Sequence, residues 1–313
     1  MAFFGTSEFV GSVQNARFLR RLIAAGVRPA VVVSAPDVYG KPGTAAVKSA
    51  ALEFGIPVLQ PSTLNGFSKE LVEREIELSL VAAYGKILPS EALAVPKFGS
   101  LNVHPSLLPR WRGSTPIQAT ILAGDAVTGV TIIQMDEKMD HGSVIAKREF
   151  PLDTRAWTAP ALSDALSDGG ADLFVEILEP WVLGKITPKS QNHEAATYSR
   201  ILKKDDGHID WSQSTEEIER MARAFRPWPG AYTFWPRGQK LVRLAVEEAD
   251  VMTRTANNPE PVCGMAIEIN GAFGIQTGDG ILSVRRLKPE GRGSMSGAEF
   301  LRGQRDIIGA ILE

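Results

Sequence analysis

Two polar side chains stand two residues apart in Ser100-Leu101-Asn102-Val103-His104-Pro105. On an extended strand alternate side chains share a face, so Leu101 and Val103 point one way while Asn102 and His104 point the other. Pro105 and Pro109 then stiffen a Ser-Leu-Leu loop that neither continues a sheet nor starts a helix at once, which leaves backbone N–H and C=O groups for a ligand. A third polar group, Asp140, comes from the acidic loop Asp136-Glu137-Lys138-Met139-Asp140-His141-Gly142. Taken singly, each has a plain structural reading: Asn102 as a sheet cap, His104 as a hydrogen-bonded core histidine, Asp140 as an Asx turn before Gly142.

Taken together, Asn102, His104 and Asp140 are an amide donor, an imidazole and a carboxylate with no serine or cysteine placed as a nucleophile. That set suits direct acyl transfer to an amine better than a covalent acyl-enzyme route. Asn102 can donate to a developing oxyanion, an effect of about 10²- to 10³-fold per donor. A histidine with a reference pKa of about 6.5 donates when protonated and accepts a proton when neutral. Asp140 can hold His104 and take the proton lost by an attacking ammonium, within the roughly 10²- to 10⁴-fold range of general acid–base help. Which of the two moves the proton stays open at this level.

The elements that must position these groups follow from the apolar pattern. Short apolar runs at residues 2–4, 30–34, 78–83, 100–103, 129–134 and 144–150 alternate with helical patterns at 8–25, 44–54, 66–75, 115–123 and 159–182. That order predicts an α/β domain with an open, mostly parallel sheet, whose sites lie beyond the carboxyl ends of the strands. Residues 184–197 are polar with little periodicity and read as a linker. Beyond it, a helix over 215–225 and short strand-like runs at 231–234, 240–247, 262–269, 273–277 and 280–287 suggest a small β-barrel. The expected domains are residues 1–183, a linker at 184–203, and 204–313.

The 313 residues carry 34 Lys plus Arg against 36 Asp plus Glu, so no global charge attracts a polyanion and a nucleic-acid partner needs a local basic face. The single cysteine, Cys263, excludes an internal disulfide and reads as a small core residue. Four scattered histidines without a His-x-x-x-His pair leave no expected metal site. No apolar run is long enough to span a membrane and no secretory signal opens the chain, so a cytoplasmic location is expected. Gly5-Thr6-Ser7 departs from the Gly-x-Gly-x-x-Gly pattern, which argues against a dinucleotide cofactor.

Phe4-Gly5-Thr6-Ser7-Glu8-Phe9, Ala82-Ala83-Tyr84-Gly85-Lys86-Ile87-Leu88-Pro89, and the run from Asn102 through Ser106-Leu107-Leu108-Pro109-Arg110-Trp111-Arg112-Gly113, together with the Asp140 loop, resemble the methionyl-tRNA formyltransferases, within the wider family of 10-formyltetrahydrofolate-dependent formyltransferases. The resemblance covers nearly the whole chain. It continues in Tyr198-Ser199-Arg200-Ile201-Leu202-Lys203-Lys204, in Arg223-Ala224-Phe225-Arg226-Pro227-Trp228-Pro229-Gly230 and in Phe300-Leu301-Arg302-Gly303. The resemblance implies a Rossmann-like formyltransferase domain followed by an OB-like barrel, with Asn102, His104 and Asp140 as the catalytic trio. It also implies folate contacts from Ser106, Leu107, Leu108 and Pro109, and from Tyr84, Gly85, Lys86, Ile87, Leu88, Met139 and His141. The implied reaction carries the formyl group of 10-formyltetrahydrofolate, as donor substrate, to the α-amino group of methionyl initiator tRNA for translation initiation, by direct attack through a tetrahedral intermediate. A monomer is expected.

Two features depart from the family pattern. Only residues 1–4 precede Gly5, a short first strand, and in the loop of residues 35–43 Lys41 is the one basic residue. Expected tRNA contacts are Lys41, Arg200, Lys203 and Lys204. Further basic groups lie at Arg220, Arg223 and Arg226, at Arg285, Arg286, Lys288 and Arg292, and at Arg302 and Arg305; each reads either as a solvated face or as a phosphate track. The alternatives are a nucleotide-sugar N-formyltransferase using the same donor, and a folate- or RNA-binding homologue without activity.

Overall fold

The structure, a computed structural model, describes residues 1–6, 15–37, 44–152, 157–253 and 262–313. In chain order the first elements are β1 (Ala2–Gly5), α1 (Asn15–Ala24), β2 (Val31–Val33), α2 (Thr44–Glu53), β3 (Val58–Leu59), α3 (Ser68–Glu73), β4 (Ser79–Ala82), α4 (Ser90–Leu93) and β5 (Ser100–His104). They continue with β6 (Arg112–Gly113), α5 (Pro116–Ala123), β7 (Val127–Gln134), β8 (Ser143–Pro151), α6 (Ala159–Val182) and β9 (Tyr198–Ser199). The second half holds α7 (Thr215–Ala224), β10 (Ala231–Arg237), β11 (Lys240–Thr253), β12 (Ala266–Ile269), β13 (Ala272–Gln276), β14 (Gly280–Pro289), β15 (Met295–Ser296) and α8 (Gly297–Gly303). Contacts divide the chain into two compact units. The first is Met1–Thr120, Asp125–Ala156 and Pro160–Ile201; the second is Ile121–Gly124, Trp157–Ala159 and Leu202–Glu313.

In the first unit a seven-stranded sheet runs β3-β2-β1-β4-β5-β7-β8. The first five strands are parallel; β5 with β7, and β7 with β8, are antiparallel. β1 (Ala-Phe-Phe-Gly) and β2 (Val-Val-Val) are apolar and buried along their whole length because both faces are covered. Phe3 stacks on Phe18 of α1 at 5.8 Å on one face, while Phe4 meets Phe67 and Tyr84 edge-on at 6.0 and 5.4 Å on the other. The chain leaves β1 outward through β2 and β3 and returns through β4 and β5, so the strand order reverses between β1 and β4. That reversal opens a crevice at the carboxyl ends of these strands. Residues 184–201 hold to this unit: Lys189 exchanges two backbone hydrogen bonds of 2.8 Å with Val144, and β9 pairs with β6.

In the second unit an antiparallel sheet runs β10-β11-β14-β13-β12, with β15 added beside β14. Its two outer strands are both hydrogen-bonded by the end of the chain. Glu313 exchanges two backbone bonds with Phe234 of β10, and Leu312 and Ala310 bond Gly264 and Ala266 at the start of β12. A core of Trp235, Leu244, Phe273, Ile281 and Phe300 lies beneath. The helix α8 was absent from the sequence reading; Ser296 and Glu299 cap it reciprocally. Cys263 is exposed, contrary to the core position expected of it. It stands in a turn that ends at Gly264, where φ is 82°, so the strand begins only at Ala266 and the thiol stays on the solvent side.

Candidate active site

The alternation of β5 puts Asn102 and His104 on one face, and the loop after β7 brings Asp140 back to both. Asn102 Nδ2 donates to Asp140 Oδ1 at 3.2 Å, and His104 Nδ1 lies 3.4 Å from the same oxygen. The other carboxylate oxygen, Oδ2, accepts the backbone N–H of Gly113 at 2.8 Å. On the far side of the ring, His104 Nε2 meets the carbonyl oxygen of Trp111 at 2.9 Å. A carboxylate accepts only, so the amide of Asn102 must turn its NH₂ toward it. Three groups from two separate stretches of chain therefore form one cluster.

The backbone that carries them is under local constraint. Trp111 and Asp140 have φ values of 57° and 51°, a region that side-chain-bearing residues seldom adopt and that costs on the order of 1–3 kcal/mol. Two glycines permit the approach: a Cβ on Gly113 would stand 2.6 Å from the Ser199 carbonyl oxygen, and one on Gly142 would stand 1.8 Å from that of Gln134.

His104 is 4% exposed and Asp140 has 11% of its side chain exposed. Burial by itself disfavours the imidazolium, but the charge and hydrogen bond of Asp140 and the Trp111 carbonyl outweigh it and hold the His104 pKa above its ordinary value. Burial likewise disfavours the carboxylate, yet the charge and hydrogen bond of His104, with the Gly113 N–H and Arg112, hold Asp140 below its ordinary value. Each member of the pair thus favours the charged form of the other. Among the described residues the side chains of His104 and Asp140 bond each other, Asn102 and the backbone of Trp111 and Gly113; the one serine contact is the Ser106 N–H on the His104 backbone carbonyl at 2.9 Å, not a hydroxyl on either side chain.

The cluster opens on a cavity of about 340 Å³, within the range of small-molecule sites. Asn102, His104, Gly113 and Asp140 form its polar end; Val81, Ile117, Val130, Ile133 and Leu166 supply apolar wall. Of the residues expected at a folate, Tyr84, Gly85, Lys86, Ile87, Leu88 and Met139 line this cavity. Ile87 and Met139 are 73% and 59% exposed at its rim. Burial pushes the Tyr84 phenol up to about 12, and its hydroxyl has no hydrogen-bond partner among the described residues. Ser106, Leu107, Leu108 and Pro109 are not among the residues that line it. Ser106 is buried with its hydroxyl on the Arg110 carbonyl at 2.6 Å, and the Leu108 N–H reaches Thr131 Oγ1 at 3.1 Å. His141 is also off the lining, stacked on His193 with centroids 4.0 Å apart.

Lys203, Lys204 and Arg200 are exposed, and Lys41 lies outside the described residues. Several of the other basic groups are engaged. Arg223 bonds both oxygens of Glu219 at 2.6 and 2.9 Å, Arg226 meets Glu248 at 3.1 Å, and Arg285 pairs with Asp250. Those arginines serve the fold of the second unit first. Among the described residues no group of three or more His, Cys, Asp or Glu could hold a metal, and no helix is long and apolar enough to cross a membrane.

A family model described as formyl transferase matches residues 2–178, and one described as formyl transferase, C-terminal domain, matches residues 201–305. The chain belongs to the formyl transferase family. Among similar proteins, a methionyl-tRNA formyltransferase of Chloroflexus aurantiacus is 43% identical over 304 residues, 94% of this chain and 96% of its own. That of Marinobacter nauticus is 37% identical over 98% of this chain and 97% of its own. A solved N-formyltransferase of Helicobacter canadensis, in complex with folinic acid and dTDP-3-aminofucose, shares the fold with a TM-score of 0.64 and 17% identity, over 90% of this chain and 98% of that one. HypX of Aquifex aeolicus, in complex with tetrahydrofolic acid, has a TM-score of 0.60 and 18% identity over 97% of this chain and 47% of that one.

For this formyl transferase the side-chain reading of the sequence left out the backbone groups of the site. The carbonyl of Trp111 and the N–H of Gly113 fix His104 and Asp140 as firmly as any side chain does, and only the unusual backbone of that turn reveals them. Gly113 was the one available signal, since a glycine after Arg-Trp-Arg marks a turn that brings chain segments close.

Proposed function

We propose that the protein transfers the formyl group of 10-formyltetrahydrofolate to the α-amino group of methionyl initiator tRNA, as a step of translation initiation. The observation that carries this reading is the Asn102–His104–Asp140 cluster at the polar end of an apolar cavity, without a hydrogen-bonded nucleophile. Family membership and full-length relatives at 37–43% identity support the acceptor.

The cavity suits the donor: residues 84–88 and Met139 would cover the faces of a flat heteroaromatic ring, and its formyl carbon, bound to nitrogen, would face the polar end. Bound folate supplies an electrophilic one-carbon unit on a nitrogen leaving group. The neutral amine attacks that carbon, and the charge that develops on its oxygen faces the free amide hydrogen of Asn102 and the positive His104 ring. The attacking nitrogen then loses a proton to the His104–Asp140 pair, which returns one to the departing nitrogen. No bond to the protein forms at any point.

Ser106, Leu107, Leu108, Pro109 and His141 are the further folate contacts of this proposal. Arg200, Lys203 and Lys204, with Lys41, are the proposed phosphate contacts of the tRNA. Residues 1–183 would be the catalytic domain and 204–313 a tRNA-binding domain of OB-like barrel form; the chain end bonded to both outer strands supports that closure. A monomer acting in the cytoplasm completes the proposal.

The test is to mix purified protein with formyl-folate and offer methionyl initiator tRNA, elongator tRNA and nucleotide amino sugars in parallel. Formylation confined to the initiator tRNA is expected. Formylation of the amino sugar alone would instead identify a sugar N-formyltransferase.

A further inference from the structure

We propose that Gln191 is a positioning residue for Asp140, acting across the cluster without touching substrate. This rests on the assignment of Asn102, His104 and Asp140 as the reacting groups. Gln191 comes from the polar stretch between the two halves of the sequence, yet it is only 7% exposed. Its Nε2 donates to the carbonyl oxygens of Asp140 at 2.9 Å and Gly142 at 2.7 Å. Its Oε1 accepts Nε and Nη2 of Arg112 at 3.2 and 2.7 Å. An arginine only donates and a carbonyl only accepts, so the amide can sit in one orientation only.

The consequence is geometric. Asp140 holds a left-handed backbone, and two residues later the chain passes within van der Waals reach of Gln134, so this loop needs something to hold its carbonyls. Gln191 does so from one end. From the other it grips Arg112, which is buried and lies between Trp111 and Gly113, the residues whose backbone holds His104 and the Asp140 carboxylate. One side chain therefore ties together the two loops whose register sets the 3.4 Å separation of His104 Nδ1 and Asp140 Oδ1. The backbone pairing of Lys189 with Val144 fixes where Gln191 enters.

Gln191→Met removes both donors and the acceptor at similar length, while Arg112 keeps His193 Nδ1 at 2.9 Å and the Tyr198 hydroxyl at 3.4 Å. Gln191→Glu keeps the Arg112 contact and sets an acceptor against the two carbonyls. Both are assayed over a range of formyl-folate concentrations, per folded molecule, across pH. Displacement of Asp140 lowers kcat about 10- to 100-fold and leaves KM for formyl-folate within about twofold. It also narrows the pH window of kcat: a carboxylate pulled from His104 and Gly113 titrates higher, and a His104 pulled from Asp140 titrates lower. Arg112 is the other charge that influences the pair and is retained in both variants; Gln191→Glu adds a carboxylate of its own, so the pH window is read in Gln191→Met. An unchanged pH window in Gln191→Met, whatever the loss of rate, overturns the proposal, as does a loss confined to KM. Wild-type protein inert toward every acceptor refutes the functional reading instead, so the two failures are distinct.

Discussion

His104 Nε2 lies 2.9 Å from the carbonyl oxygen of Trp111, and a carbonyl offers no proton, so that nitrogen carries one. Asp140, against the other nitrogen at 3.4 Å, favours the imidazolium form of the ring. Its charge is then part of the fold's stability. The folded pKa of His104 lies above the ordinary 6.5, so its contribution is complete below pH 6.5 and is lost as pH rises through the folded value. Asp140 lies below its ordinary 3.8, so its contribution is complete above pH 3.8 and is lost as pH falls through the folded value. The stability gap between wild type and His104→Gln is therefore largest between these two ordinary values and shrinks on both sides. Urea unfolding across pH measures it; a gap that does not vary with pH would show that His104 is neutral.

Asn102→Ala removes the amide proposed to face the reacting carbon and is expected to lower kcat by about 10²- to 10³-fold with little change in folate KM. Asp140→Asn should cost about 10²- to 10⁴-fold. Both variants must unfold at nearly the wild-type temperature for the comparison to stand, and steady-state kinetics beside thermal melts gives both numbers. Activity within about threefold of wild type in either variant would remove that residue from the chemistry.

Gly113→Ala sets a Cβ 2.6 Å from the Ser199 carbonyl oxygen at a φ of 103°. A destabilisation of about 2–4 kcal/mol is expected, with a fall in kcat because the N–H that binds Asp140 must move. Chemical denaturation and single-turnover rates check the two parts separately.

Tyr84→Phe deletes a buried hydroxyl with no partner among the described residues. Without folate, stability is expected to hold or to rise by about 1 kcal/mol. A loss larger than about 1 kcal/mol in thermal or urea unfolding would mean the hydroxyl is bonded in the free protein.

Much of the frame is legible from residue order. The helix expected at 159–182 has those bounds, and each apolar run in the first half became a strand within a few residues. Asn102 and His104 were found by strand alternation, a rule that needs no tertiary information. What stayed hidden depends on contacts between distant segments. Gln191 sits in a stretch with no periodicity, and its burial arises only because residues 189–199 pair with β8 and β6. Arg220, Arg223 and Arg226 look like a basic cluster in one dimension, but Arg223 and Arg226 are held by Glu219 and Glu248, while Arg220 donates to the Leu122 carbonyl. The thiol of Cys263 followed the same logic, exposed by a turn that a composition rule cannot see.

Lys203 and Lys204 are exposed, and the proposed tRNA contact makes them counterion-releasing groups. Replacing both by alanine is expected to weaken binding and to flatten the dependence of log Kd on log salt by about 0.7–0.9 per lost phosphate contact. Binding titrations at several salt concentrations decide it; wild-type affinity with a wild-type slope would take these lysines out of the interface.

The most direct measurement is a single turnover with formyl-folate labelled in its one-carbon unit, quenched at intervals and separated into folate, protein and tRNA fractions. Direct transfer predicts label passing from folate to methionyl-tRNA at the rate of product formation, with none on the polypeptide, and passage about 10²- to 10⁴-fold slower in folded Asp140→Asn. A labelled protein adduct that forms and decays at the turnover rate would contradict it.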